Sequence, residues 1–228
     1  MPLKEYRLYS PYSVKIYRQL LHQAKQIPNL GLAPFSAKVS RASSTANLYA
    51  RHDIDTAACV HNMSLLMDVD LEFGLQAGLY FRVDDQEYSL SNFKKEAQAA
   101  LKAGFEVGLH TLCYLEDNFM EAFRRETEKF IREAGFRPRS FNAHGLGGYR
   151  LDARLKFYDE IASRLSEFGY EFSDCCSQLR TYDYVIQDCY LDGEKKLRYL
   201  TEDFIHPERF LSQGVCFLIL THPCYWAS

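Results

Sequence analysis

The stretch AALKAGFEVGLH, residues 99–110, contains the unit that decides the fold. Its first part reads as the end of a helix, Gly104 follows, and FEVGLH (residues 105–110) reads as a strand. Glycine is typical of the position after a helix, because it adopts the left-handed conformation without a Cβ penalty. The stretch therefore predicts a helix followed directly by a strand, with the imidazole of His110 at the end of that strand.

The same succession of helix, glycine and strand recurs along the chain. Helices are predicted over residues 56–73, 91–103, 117–134 and 151–168, and each is followed by a glycine that ends it. Strands are predicted over residues 47–55, 77–83, 105–110, 140–144, 170–174 and 215–222. Repeated βα units predict a parallel sheet in an α/β protein, and their number favours a (β/α) barrel over an open sheet.

A further helix is predicted before the first of these strands. Over residues 11–27 the apolar side chains recur at helical spacing, and Pro28 stops the helix. Residues 31–45 are small and polar without periodicity, which predicts a loop. We therefore expect an N-terminal helix and loop extension over residues 1–45 and an α/β barrel domain over residues 46–228.

Composition and charge limit the class of partner. The 228 residues include 27 Lys and Arg and 30 Asp and Glu, and a net charge of -3 gives no basic surface for nucleic acid. We recognise neither a secretion signal nor a transmembrane segment, so a cytoplasmic protein is expected. The seven cysteines are odd in number and lack repeated C-x-x-C spacing, which favours reduced thiols.

Titratable side chains collect where the predicted strands end. They are Arg51, Asp53, Asp55, His110, His144, Asp174 and His222. In parallel α/β folds the carboxyl ends of the strands meet at one face, and active sites are built there. The sequence therefore predicts one site that draws on several strands.

The most informative of these strand ends is RHDID, residues 51–55. Asp53 and Asp55 share one face of the strand, while His52 points to the other. Two carboxylates this close perturb each other's pKa unless a cation lies beside them. A divalent metal would bind one Asp and leave the other to take a proton from water. The alternative is that the pair caps the next helix, a position that suits Asp55.

This arrangement resembles the polysaccharide deacetylase family, carbohydrate esterase family four, and especially a divergent branch with an R-H-D-V-D motif. The similarity spans about residues 46–226 and rests on RHDID (51–55), AGLYFRV (77–83), AGFEVGLHT (103–111), FNAHG (141–145) and LTHPCYW (220–226). The resemblance implies a distorted (β/α) barrel with fewer than eight strands. It also implies the removal of N-acyl groups from amino sugars with the help of a divalent metal.

Carried over to this sequence, the resemblance makes Asp53 the general base, Asp55 and His110 metal ligands, and His222 the general acid. The family's His-x-x-x-His motif is interrupted, because Tyr114 stands four residues after His110. His144, which ends the next predicted strand, is then the candidate for the third ligand, and a Tyr114 oxygen or water is the alternative. Zinc is the expected metal, with manganese, cobalt or nickel as alternatives.

Four further residues are candidates for substrate binding. Arg51 either pairs with Asp53 or holds an anionic group of the substrate. Asp174 contacts the substrate or only ends its strand. Tyr225 and Trp226 follow His222 and either stack on a sugar ring or pack as a chain end.

The expected function is that of a metal-dependent hydrolase. It would remove an acetyl or formyl group from an N-acylated amino sugar, in a nucleotide- or lipid-linked precursor used in surface polysaccharide biosynthesis. Because the second histidine of the motif is absent, one alternative is a deacetylase-like protein that binds a sugar without turnover. Another alternative is the hydrolysis of a different non-peptide C–N bond.

Overall fold

The computed structural model describes residues 12–35, 46–83, 88–145, 151–174, 184–188 and 216–227. The strands in these residues are β1 (Tyr12–Ser13), β2 (Leu30–Leu32), β3 (Ala46–Ile54), β4 (Gly78–Phe81), β5 (Glu106–Thr111), β6 (Ser140–Ala143), β7 (Phe172–Ser173), β8 (Tyr184–Gln187), β9 (Cys216–Thr221) and β10 (Trp226–Ala227). The α-helices are α1 (Val14–Gln26), α2 (Ala57–Phe73), α3 (Lys94–Lys102), α4 (Phe119–Ala134) and α5 (Leu151–Ala162). Short 3₁₀ helices cover Leu90–Phe93, Cys113–Leu115, Leu165–Phe168 and Pro223–Tyr225.

The main sheet is parallel throughout its described length. Its strands pair in the order β7-β6-β5-β4-β3-β9-β8, and β2 pairs with the first residues of β3. All of these pairings are parallel. The predicted α/β class with a parallel sheet is confirmed. Within the described residues the two end strands, β7 and β8, do not pair with each other.

The predicted repeat of helix, glycine and strand is also confirmed. Each predicted strand is present, with its ends within two residues of the predicted ones. The four glycines that were expected to follow helices all have positive φ, between 71° and 93°. One helix was predicted too long, because α5 ends at Ala162 and only a 3₁₀ helix, Leu165–Phe168, precedes Gly169.

The loop predicted over residues 31–45 is wrong at its start, because β2 (Leu30–Leu32) extends the sheet beside β3. A three-residue strand is too short to show the alternation that identifies longer strands. Residues 36–45, and a short helix expected near residue 207, lie outside the described residues.

The two faces of the sheet have different neighbours. Alternate side chains of β3, β5 and β6 pack with the described helices in one large apolar core. The opposite face carries a smaller apolar cluster formed by Phe35, Tyr49, Tyr80, Cys216, Leu218 and Leu220. Arg51 and Asp53 share the strand face of Tyr49, so these two side chains lie on the side away from the helices.

Helix α1 belongs to the same core as the later helices. Ser13 caps it by accepting a hydrogen bond from the amide of Lys15, and its buried side chains include Tyr17, Leu20 and Leu21. Before it, β1 pairs in parallel with β10, which joins the two ends of the described chain. No helix among the described residues is long and apolar enough to cross a membrane.

Candidate functional site

The strand ends that were predicted to form one site do come together. Asp53 is the last residue but one of β3, Asp55 follows that strand, and His110 lies near the end of β5. His144 directly follows β6, and His222 directly follows β9. Because these strands are parallel members of one sheet, their carboxyl ends lie at the same edge.

The space between Asp55, His110 and His144 has the form of a metal site. Each of these residues offers a ligand atom, and the three atoms lie within 4.8 Å of one another. His110 Nε2 is 3.2 Å from Asp55 Oδ1, and His144 Nε2 is 3.3 Å from Asp55 Oδ2. We call these three residues the metal cluster.

Helix capping does not occupy Asp55. The N-cap of α2 is Thr56, whose hydroxyl accepts a hydrogen bond from the amide of Cys59 at 3.3 Å. The alternative that the two aspartates only cap this helix therefore does not describe Asp55. Its carboxylate points instead at the imidazoles of His110 and His144.

Asn142 determines which nitrogen of His110 faces the cluster. The Asn142 side-chain amide donates to Asp53 Oδ1 at 3.3 Å, so its carbonyl oxygen is the atom that meets His110 Nδ1. An amide oxygen only accepts, so Nδ1 must carry a proton. In the neutral ring the Nε2 lone pair is then directed into the metal cluster. Asn142 was not singled out from the sequence, although it lies directly opposite His110 in the strand register.

Unpartnered atoms in the cluster fit a bound cation. In the part of the chain that the structure describes, Asp55 Oδ1, His110 Nε2 and His144 Nδ1 are buried without a hydrogen-bond partner. Each such atom costs about 1–3 kcal/mol if nothing satisfies it. Burial lowers the pKa of His144 and favours its neutral form. One carboxylate with two imidazoles is a donor set that suits zinc and similar divalent ions.

The charge on Asp55 also agrees with this reading. Burial alone raises the pKa of Asp55, but when the facing nitrogens of His110 and His144 carry protons, these two residues outweigh burial and hold the pKa well below its usual range. Asp55 therefore remains a carboxylate, the form in which it binds a metal ion.

Tyr114 supports the metal cluster without contributing its hydroxyl as a ligand. The Tyr114 hydroxyl donates to the backbone carbonyl of His144 at 2.8 Å. On the other side, the His144 amide donates to the carbonyl of Thr111 at 2.9 Å. Tyr114, which interrupts the histidine motif, thus holds the backbone of His144, the residue that we expected to be the third ligand.

Asp53 lies beside the cluster and is held by Arg51. Arg51 Nε is 2.9 Å from Asp53 Oδ1, and Arg51 Nη2 is 3.0 Å from Asp53 Oδ2. Burial raises the pKa of Asp53, but Arg51 in particular outweighs it and leaves that pKa lowered. Asp53 Oδ2 is 3.7 Å from His110 Nε2. Asp53 is therefore an ionised carboxylate next to the cluster, in the form that accepts a proton.

The guanidinium of Arg51 also pairs with Asp174. Arg51 and Asp174 are 5% and 2% exposed, so neither lies at an open surface. Of the two roles considered for Arg51, pairing with Asp53 is the one seen here. A role for Arg51 or Asp174 in contacting substrate stays a prediction.

His222 is fixed by a carboxylate that sequence reasoning missed. Asp188 accepts hydrogen bonds from the His222 amide at 2.7 Å and from Trp226 Nε1 at 2.7 Å, and it meets His222 Nδ1 at 2.8 Å. His222 Nε2 is then directed toward the cluster, 3.5 Å from Asp55 Oδ2. Asp188 follows β8, a strand that the sequence pattern did not reveal, and the strand-end rule would have found it.

The two aromatic residues after His222 have different surroundings. Tyr225 is partly exposed, with its ring centroid 5.7 Å from that of His222. Trp226 is 1% exposed and packs against Tyr12 and Tyr17, with ring centroids 5.3 Å and 5.7 Å away. Trp226 therefore matches the packed chain end, while Tyr225 stays a candidate for contact with a sugar.

Comparison with known proteins finds similarity to several solved structures. No protein-family model matches the sequence, and no curated protein matches it. A mutant of BA3943, a CE4 family pseudoenzyme with restored enzymatic activity, has a TM-score of 0.49 and 14% identity over 87% of this chain. The Bdellovibrio bacteriovorus peptidoglycan deacetylase Bd3279 has a TM-score of 0.42 and 12% identity over 90% of this chain. The chain spans 62% and 58% of the lengths of these two proteins.

Proposed function

We propose that this protein is a metal-dependent amide hydrolase that removes an acetyl or formyl group from an N-acylated amino sugar. The observation that carries this proposal is the arrangement of side chains at the carboxyl edge of the sheet. The metal cluster lies between an ionised carboxylate, Asp53, and an imidazole, His222. Arg51 holds Asp53, and the carboxylate of Asp188 holds His222. We further propose that the seven strands paired in order from β7 to β8 form a distorted (β/α) barrel with fewer than eight strands, and that β2 is an extension beside β3.

In this proposal Asp53 acts as the general base. When bound, a divalent cation supplies Lewis-acid polarisation of the acyl carbonyl and lowers the pKa of a neighbouring water. Asp53 takes the proton from the attacking water, and its lowered pKa keeps it ready to do so near neutral pH. Arg51 and Asn142 hold the Asp53 carboxylate from two sides and restrict it to one orientation.

His222 acts as the general acid on the leaving amine. The Asp188 carboxylate fixes Nδ1 as the protonated atom of the neutral ring and stabilises the imidazolium that carries a second proton. That second proton is on Nε2, which faces the cluster and donates it to the amine as the C–N bond breaks. The sugar itself is proposed from the sequence resemblance, with Tyr225 as the partly exposed ring beside the acid.

Release of acetate or formate tests this proposal. Chelator-treated protein is supplied with zinc, manganese, cobalt or nickel and incubated with N-acetyl and N-formyl sugar nucleotides. We expect release only with a metal present, and a loss of about 10²–10⁴-fold in His222→Ala, because a general acid contributes that much. Asp188→Asn should also lower turnover, and its metal content should stay at the wild-type level.

One alternative is favoured by a specific observation. Tyr114 stands where the resemblance implies a second histidine, so a protein that binds an acylated sugar without turnover is the second candidate. The same assay separates the two. If none of the four metals supports release and calorimetry still detects sugar binding, then the hydrolase proposal fails and the binding protein replaces it.

A further inference from the structure

Two thiols lie together behind the proposed acid and are not used by the proposed chemistry. Cys59 is in the first turn of α2, and Cys224 is in the 3₁₀ helix Pro223–Tyr225. Each thiol shifts the pKa of the other, so the two sulfur atoms lie near each other. An independent contact joins α2 to the strand that directly follows this 3₁₀ helix, because Asn62, one turn after Cys59, donates to the carbonyl of Trp226 in β10 at 3.1 Å.

This thiol pair is linked to the site at both ends. Cys59 lies four residues after Asp55, and Cys224 lies two residues after His222. The Thr56 hydroxyl, which caps α2, also contacts Cys59 Sγ at 3.6 Å. A change in the distance between these two sulfurs would therefore pull on the segment that carries His222 and on the helix that begins next to Asp55.

The two thiols differ in a way that suits stepwise oxidation. Cys224 is partly exposed, so a small oxidant reaches the pair from its side, while Cys59 is fully buried beside it. Burial raises the pKa of the Cys59 thiol, but the Cys224 thiol and the Thr56 hydroxyl outweigh burial and lower that pKa to about 7. The Cys59 thiol and burial in turn raise the pKa of Cys224, so Cys59 is the thiolate of the pair. Its place in the first turn of a helix also favours thiolate character.

We propose that Cys59 and Cys224 form a reversible oxidation site that closes to a disulfide in the presence of a peroxide. The Cys59 thiolate attacks one oxygen of hydrogen peroxide and the O–O bond breaks, which forms a sulfenic acid on Cys59 and, once the leaving oxygen is protonated, releases water. The Cys224 sulfur then attacks the Cys59 sulfur, the S–O bond breaks, and a second water leaves. Two thiols and one peroxide thus give one disulfide and two waters.

The disulfide would control the proposed hydrolysis through His222, and this consequence rests on the proposed function. The bond draws the turn after His222 toward α2, whereas β3, β5 and β6 still hold the metal cluster. We expect oxidised protein to keep its metal content and to lose turnover on the order of 10²-fold, because a misplaced catalytic group costs that much.

Peptide mapping after peroxide treatment tests the site without any assay of activity. Full-length protein is treated with hydrogen peroxide, blocked with an alkylating agent, digested without reductant and analysed by mass spectrometry. We expect a linked peptide that contains Cys59 and Cys224 and that disappears on treatment with dithiothreitol. Cys59→Ser and Cys224→Ser should each prevent it, while Cys113→Ser, which alters a buried thiol in another element, should not.

A second readout follows the turn itself. Trp226 is the only tryptophan of the chain, and its indole binds the carboxylate that holds His222. Peroxide should change its fluorescence in wild type and in Cys113→Ser but not in Cys59→Ser, and dithiothreitol should reverse the change. Absence of the linked peptide would overturn the proposed site. A linked peptide with unchanged fluorescence and turnover would overturn its control of His222. If reduced protein has no turnover but the peptide and the fluorescence change are present, then the proposed function fails and the oxidation site stands.

Discussion

The candidate ligands, base and acid of this site are held in place by hydrogen bonds from neighbouring side chains. Asn142 sets the His110 tautomer and supports Asp53, and Asp188 orients His222. The candidate ligands, acid and base were all found from strand ends in the sequence. Asn142 and Asp188 were not found from the sequence, because their supporting roles depend on which side chains become neighbours in the folded structure.

Asp53→Asn tests the proposed base. The amide keeps the shape of the carboxylate but cannot accept the proton, so turnover should fall by about 10²–10⁴-fold. Metal content should stay at the wild-type level, because Asp53 is not part of the metal cluster. Metal analysis and single-turnover kinetics on the same sample give both values. A wild-type rate in this variant would remove Asp53 from the role of base.

Two substitutions at Asn142 separate its two contacts. Asn142→Leu removes the acceptor for His110 Nδ1, and metal affinity should fall by about 10–100-fold, as is usual when the partner of a liganding histidine is lost. Asn142→Asp keeps that acceptor, so its metal affinity should lie closer to wild type. Isothermal titration of chelator-treated protein with zinc measures both. Equal affinities in wild type and Asn142→Leu would contradict the assigned tautomer.

Asn142→Asp also predicts a change in pH dependence. Asp53 has a lowered pKa in the wild type, and a new carboxylate beside it raises that pKa. The base works only when deprotonated, so activity present above its pKa is lost as the pH falls through it. The acid limb of kcat/KM should therefore move to higher pH in this variant. An acid limb at the wild-type position would show that Asp53 does not control it.

At the scale of elements, long regular units were predictable and short ones were not. The helices that end in glycine and the apolar strands between them were found from the sequence, because each spans enough residues to show its period. β1, β2, β7 and β10 have two or three residues each, and only β7 belonged to a predicted strand. The missed β8 left Asp188 unassigned, which shows how one unrecognised element hides one functional contact.

Tyr114→Phe tests how the 3₁₀ helix after β5 supports the end of β6. Without the hydroxyl, the carbonyl of His144 loses its hydrogen bond, so the third ligand is held less firmly. Zinc affinity should fall by about 10–100-fold. Tyr170→Phe is the matched control, because its hydroxyl bonds to Thr127 in the core and not to the site. An unchanged affinity in Tyr114→Phe would mean that His144 does not depend on this contact.

At the scale of the whole molecule, the N-terminal helix is joined to the site strand by a buried polar chain. Tyr17 donates to Asp70 Oδ1 at 2.6 Å, and Asp70 Oδ2 lies 2.7 Å from His52 Nε2. His52 Nδ1 meets the hydroxyl of Thr221, the residue before His222, at 2.5 Å. His52 thus faces away from Asp53, as the strand alternation predicted, and its role is to link α1 and α2 to β9.

Tyr17→Phe measures what this chain of buried hydrogen bonds contributes to the stability of the fold. Loss of the bond to a buried carboxylate should lower the free energy of unfolding by about 1.5–3 kcal/mol. Arg18→Gln is the matched control, since it removes an exposed ion pair with Glu72 between the same two helices and should cost less than about 1 kcal/mol. Urea denaturation of the wild type and the two variants measures both losses of stability. Equal losses in the two variants would contradict a special role for the hydrogen-bond chain that begins at Tyr17.

The most direct test of the central claim is a crystal structure of the protein grown with zinc, with data collected on both sides of the zinc absorption edge. We predict one strong anomalous peak bounded by the Asp55 carboxylate, His110 Nε2 and an imidazole nitrogen of His144, with Asp53 and His222 beside it. Asp55→Ala crystals grown under the same conditions should lose that peak. No peak among these three residues, or a peak there that persists at full height in Asp55→Ala, would contradict the account.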